Sequence, residues 1–187
     1  MKKNLIFVLG LLLVMGFTAC SSEIEDGTTD IDSWPMPYEE VKGEYTYQHP
    51  CAMFNDADFT RVKTMLDDGT APQAVKEEFE ILKNSAYTSL SYSASPTEWI
   101  VRGDPTGTGE SSENYAMRDA AAAYQLALLW KLTGNKEYAA TSVKVMNDWA
   151  DKCKGIKSND ANQMLAAGAQ GYTFANAAEI MQTYDGW

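Results

Sequence analysis

The sequence predicts an all-α fold built of antiparallel helical hairpins. Three observations carry that prediction. From His49 onward, apolar residues recur at three- and four-residue spacing. Capping residues and glycines punctuate those stretches where helices should start and stop. No segment alternates apolar and polar residues with any strength, so no strand is expected. The short turns between successive helices make each pair antiparallel.

The chain opens on other physics. Met1-Lys2-Lys3 is a positive start, and Leu5 to Met15 is an apolar run interrupted only by Gly10. That run is too short to read as a membrane span, and small residues follow it, so residues 1–19 read as a secretory signal peptide. Phe17-Thr18-Ala19-Cys20 places small residues directly before a cysteine and resembles the bacterial lipoprotein box. The resemblance implies lipidation of Cys20, each buried methylene adding about 0.8 kcal/mol of anchoring. The alternative is an ordinary cleaved signal with an incidental cysteine. Residues 20–48 are acidic and rich in Ser, Thr, Gly and Asp, with Pro35 and Pro37. They bury too little apolar surface to offset their ordering entropy and read as a lipidated acidic tether. The expected location is the periplasm or the outer membrane and cell surface, with the lipid anchor as the only membrane contact.

The helices follow in order. Asn55 and Asp56 cap the first, its apolar face is Phe59, Val62 and Leu66, and Gly69 stops it. Pro72 suits the first turn of the second, where Val75, Phe79, Leu82 and Ala86 form one stripe. "SYSASPTEWIVRGDPTGTGESSEN" then reads as a loop longer than most, and its Trp99-Ile100-Val101-Arg102 cluster argues against pure disorder. The third helix begins near Ser112 or Asn114 and runs to Thr133. It is apolar on most sides, so neighbours should cover most of it. Gly134 ends it and Asn135 starts the turn to a fourth helix, with Tyr138, Ser142, Val145 and Trp149 on one stripe. A fifth begins after Asn159-Asp160. Gly168 and Gly171 each weaken it by about 1 kcal/mol relative to Ala, so a bend or break is expected near Gly168.

Charge and composition exclude several functions. The formal net charge is −11 and only Arg61, Arg102 and Arg118 carry guanidinium groups, so nucleic-acid binding is not expected. His49 is the only histidine and no CxxC or Cys/His cluster stands along the chain, so neither a metal nor a cofactor is expected. Cys51 and Cys153 could pair in an oxidising compartment or remain two free thiols.

"MRDAAAAYQLALLWKLTGNKEYAATSVKVMNDWA" resembles the alginate lyase family of polysaccharide lyases and their heparinase-like relatives. "HPCAMFNDADFTRVKTML" is similar to the start of those domains, with Cys51 at the small position after His-Pro. "LAAGAQGYTFANAAEIMQTYDGW" is similar to their following helix, so the likeness spans residues 49–187. It implies an incomplete (α/α) toroid with a groove for an acidic polysaccharide of alginate or glucuronan type, cleaved by β-elimination at a uronic acid. In that family the neutralising Asn-His pair and the catalytic Tyr lie on later helices. This chain has no Asn-Asn-His motif, so its catalytic residues stay unassigned. A family toroid needs about a dozen helices and periodicity supplies about five here. The expectation is therefore the truncated N-terminal part of a lyase, inactive as it stands. The rival is a non-catalytic glycan-binding or tetratricopeptide-like helical surface lipoprotein, although no repeat near 34 residues appears.

A glycan groove needs exposed aromatics and convergent polar groups. Trp130, Trp149, Tyr138 and Tyr124 read as core. The substrate-binding candidates are Trp99, Arg102, Asn114, Tyr115 and Arg118 beside the long loop, and Gln170, Tyr172 and Asn176 around the weakened part of the fifth helix. Arg118 could pair a carboxylate bidentately, or Asp119 or Glu113 could neutralise it. Gln170, Tyr172 and Asn176 could equally cap freed backbone groups. Glu179 reads as a solvated or structural carboxylate.

Overall fold

Local chemistry starts each helix where the sequence places it. In the computed structural model, which describes residues 48–103, 111–157 and 162–187, α1 spans Asp56–Asp67. Asn55 caps it through a reciprocal box: its side chain accepts from the Asp58 amide at 3.1 Å, and Asp58 accepts from the Asn55 amide at 3.3 Å. Residues 1–47, which hold the expected signal peptide, Cys20 and nearly all of the expected tether, lie outside the described residues. Helix α2, Gln73–Lys83, follows Pro72, whose missing N–H costs nothing at a helix start. Its stripe of Val75, Phe79 and Leu82 is only half-buried, and no α2 residue is fully buried.

Helix α3, Glu113–Thr133, is the centre of the fold and packs against both α4 (Lys136–Lys152) and α5 (Asn162–Met181). Five of its alanines, Ala116, Ala120, Ala122, Ala123 and Ala127, are completely buried, which allows neighbouring backbones to come close. Leu126 and Leu129 are completely buried too, each contributing about 2 kcal/mol by leaving water. Ser142 on α4 donates to the Ala123 carbonyl at 2.7 Å, a buried tie between the two helices. Gly134 ends α3 at φ +74°, a left-handed position that suits glycine, and Asn135 caps α4 by accepting from the Glu137 amide at 2.9 Å. Trp149 is buried and Trp130 packs edge-on against Tyr184 at 5.3 Å between centroids, as expected of core aromatics. Tyr124 and Tyr138 are half-buried.

Two expectations are corrected. A strand pair exists: β1, Trp99–Val101, runs parallel to β2, Gly155–Lys157, with Ile100 opposite Ile156. Three residues are too few to show an alternating pattern, so the sequence carried no signal for it. The fifth helix is also unbroken from Asn162 to Met181. Ala166, Ala177, Ile180 and Met181 bury on α3 and its neighbours, and that packing outweighs the poor propensity of Gly168 and Gly171. The described residues are thus mainly helical, with five α-helices and one two-stranded sheet.

Candidate functional site

The start of α3 is fixed by polar staples to β1. Ser112 Oγ donates to the Trp99 carbonyl at 2.8 Å and accepts from the Val101 amide at 2.9 Å, while its own amide reaches the Val101 carbonyl at 3.0 Å. Glu113 accepts from the Gly103 amide at 3.0 Å and faces Arg102 at 4.0 Å. With the helix start held, Asn114, Arg118 and Ala121 fall on one face at helical spacing, with Tyr115 alongside. Together with Tyr87, Ser111 and Met117 they line an open cleft of about 660 Å³.

Arg118 is the charged group of this cleft. Its guanidinium lies 5.0 Å from the centroid of the Tyr115 ring, and its Nε donates to the Asn114 carbonyl at 3.2 Å. Among the described residues no carboxylate stands within ion-pair distance of it. Glu113 is committed to Gly103 and Arg102. Asp119 turns to the buried side of the helix and is 2 % exposed. There it accepts from the Tyr92 hydroxyl, the Ser95 amide and the Trp149 indole, each at 2.7 Å. Glu113 and Asp119, the two acids weighed as neutralising partners of Arg118, therefore have other partners, and its terminal nitrogens have no hydrogen bond to a described residue.

The other sequence candidates do not share this cleft. Trp99 lies beneath the Lys157 ammonium, 4.1 Å from the ring centroid, and against Gly155, so β2 covers it. Arg102 is half-buried beside Glu113. On α5, Tyr172 is exposed, whereas Gln170 and Asn176 are buried. Asn176 donates to the Tyr172 carbonyl at 2.8 Å, which is the backbone-satisfying role. Both amide atoms of Gln170 and the Asn176 carbonyl oxygen have no partner among the described protein atoms. Of the eight candidates, Asn114, Tyr115 and Arg118 come together.

A second cluster was invisible in the sequence. His49 Nδ1 stands 2.6 Å from Glu179 Oε1, and the Cys51 amide donates to the same oxygen at 2.9 Å, across 130 and 128 residues of chain. Glu179 Oε2 accepts from Gln182 at 3.1 Å. The His49 hydrogen bond, helped by those from Cys51, holds the Glu179 carboxyl below the ordinary carboxylate range. The same carboxylate, by accepting from the Cys51 thiol, pushes that thiol up. Glu179 is thus structural rather than solvated. Cys51 and Cys153 are both free thiols, Cys153 lying 3.7 Å from the Gly155 carbonyl.

No known protein family, curated protein or solved structure matches this chain. Among the described residues no helix is long and apolar enough to cross a membrane.

Proposed function

We propose that this chain recognises a uronic-acid-containing polysaccharide through the cleft at the start of α3, as part of an alginate-lyase-like (α/α) toroid. The observation that carries the reading is Arg118: a guanidinium without a carboxylate partner among the described residues, laid on Tyr115 in a cleft also lined by Tyr87 and Asn114. A guanidinium fork matches a sugar carboxylate bidentately, and aromatic faces suit the apolar faces of pyranose rings. In β-elimination the uronate carboxylate must be neutralised before the adjacent C5 proton can be removed. Arg118 and Asn114 supply that half of the chemistry. Tyr87 and Tyr115 are the phenols of the cleft.

The lining also favours a second reading, a glycan-binding surface lipoprotein without catalysis. No imidazole or carboxylate among the described lining residues stands ready to protonate a departing glycosidic oxygen. One experiment separates the readings. Calorimetric titration with oligoalginate and oligoglucuronate should show binding that a neutral oligosaccharide of the same length does not. Arg118→Ala should weaken it by about tenfold or more, the scale of a charge-assisted hydrogen bond. Equal affinity of the variant and the parent would sink the proposal. Absorbance from unsaturated sugar ends in the same mixtures marks the lyase, and its absence alongside binding marks the binder.

A further inference from the structure

His49, Cys51 and Glu179 present three different ligand types to one point. One nitrogen, one sulfur and one oxygen, a single atom from each residue, lie within 4.8 Å of one another. They come from two segments that tertiary structure brings together: the stretch ahead of α1, seated by the fully buried Pro50, and the last turn of α5. The Glu179 side chain is 14 % exposed and its orientation is set from both sides, by the Cys51 amide on Oε1 and by Gln182 on Oε2. His49 and Cys51 are exposed, which leaves the outer side of the cluster open to solvent.

We propose that His49, Cys51 and Glu179 form a binding site for a divalent transition-metal ion of the zinc class, with solvent in the fourth position. The ligand set selects the metal. Calcium and magnesium demand all-oxygen shells, whereas a thiolate, an imidazole and a carboxylate suit the borderline-soft Zn²⁺ in a tetrahedral site. Bond lengths of about 2.0–2.3 Å to such an ion place the ligand atoms roughly 3.3–3.8 Å apart. The His49–Glu179 contact therefore opens by about 1 Å as the ion takes the place of the shared proton. The Cys51 thiol gives its proton to solvent as the sulfur–metal bond forms, so binding is tighter at higher pH. The Cys51 amide and Gln182 remain as the outer hydrogen bonds that aim the carboxylate.

Titration of the purified full chain with Co²⁺ alone tests this directly. The expected result is a thiolate-to-cobalt charge-transfer band in the near ultraviolet that saturates at about one equivalent and disappears when Zn²⁺ displaces the cobalt. Cys51→Ser should abolish the band, His49→Ala and Glu179→Gln should weaken binding at least tenfold, and Cys153→Ser should leave it intact. Zn²⁺ should also raise the thermal midpoint of the parent and not that of Cys51→Ser. No band in the parent, a band that survives Cys51→Ser, or cobalt bound without sulfur character each overturns the site. So does a set of variants that merely lower the midpoint while zinc leaves the parent unmoved, since that is the behaviour of a plain hydrogen-bonded latch.

Discussion

Adjacent residues Arg118 and Asp119 divide the work of the first turns of α3. One points its charge into the cleft. The other buries its charge against Tyr92, Ser95 and Trp149, where three donors make the cost of desolvation tolerable. Tyr92 feels this arrangement most clearly. Burial, then the hydrogen bond to Asp119 and the charge of that carboxylate, push its phenol well above the ordinary tyrosine range, with Arg118 pulling weakly the other way. The sign of the linkage follows. A phenol whose folded-state value is raised contributes stability that is fully present below its unfolded value of about 10 and is lost as pH rises toward the folded value. Tyr92→Phe removes that contribution. Thermal melts from pH 8 upward should therefore fall more steeply for the parent than for the variant above about pH 10. Parallel curves for the two proteins would show that Tyr92 titrates as it does in the unfolded chain.

At the scale of elements, what was legible was what local chemistry controls. Asn55, Gly69, Gly134 and Asn135 mark helix ends through caps and stops within a few residues, and the structure uses all four there. What was not legible depends on distant partners. β1 exists because Lys154 to Lys157 runs beside it, with the Lys154 amide on the Glu98 carbonyl at 2.8 Å, and nothing in Trp99 to Val101 announces that. α5 stays continuous because its far end packs on α3, which propensity near Gly168 cannot express. This difference has a measurable consequence. A Cβ built at Gly168 or Gly171 meets nothing within 4 Å. Gly168→Ala and Gly171→Ala should each stabilise the protein by about 0.5–1 kcal/mol in urea unfolding, the helix propensity gained without a clash. Gly155→Ala should do the opposite, because its Cβ would lie 3.2 Å from the Trp99 ring and its φ of +153° disfavours a side chain. Destabilisation at Gly168 would mean that this face of α5 is in fact covered.

At the scale of the molecule, the same contrast explains which parts of the sites could be read. Asn114, Tyr115 and Arg118 are neighbours in sequence on one helical face, so periodicity finds them. His49, Cys51 and Glu179 meet only across some 130 residues, beyond the reach of any local motif. The overall charge of −11 was plain in the sequence and would set how the acidic polymer proposed for the cleft arrives. On the proposed reading, the protein far from the cleft repels a polyanion, and only within a few ångströms does the Arg118 guanidinium attract it. Salt separates these ranges, because the screening length shrinks from about 30 Å at 0.01 M to about 8 Å at 0.15 M. Raising salt over that interval removes the long-range repulsion and leaves most of the contact interaction. Stopped-flow association with an oligouronate should therefore accelerate with added salt, the reverse of proteins that gather polyanions on a basic surface. Arg118→Ala should keep that acceleration and dissociate faster, since most single-contact losses appear in the off-rate. An association rate that falls steeply with salt would place the attraction in an extended basic footprint, and the single-arginine account of the cleft would fail.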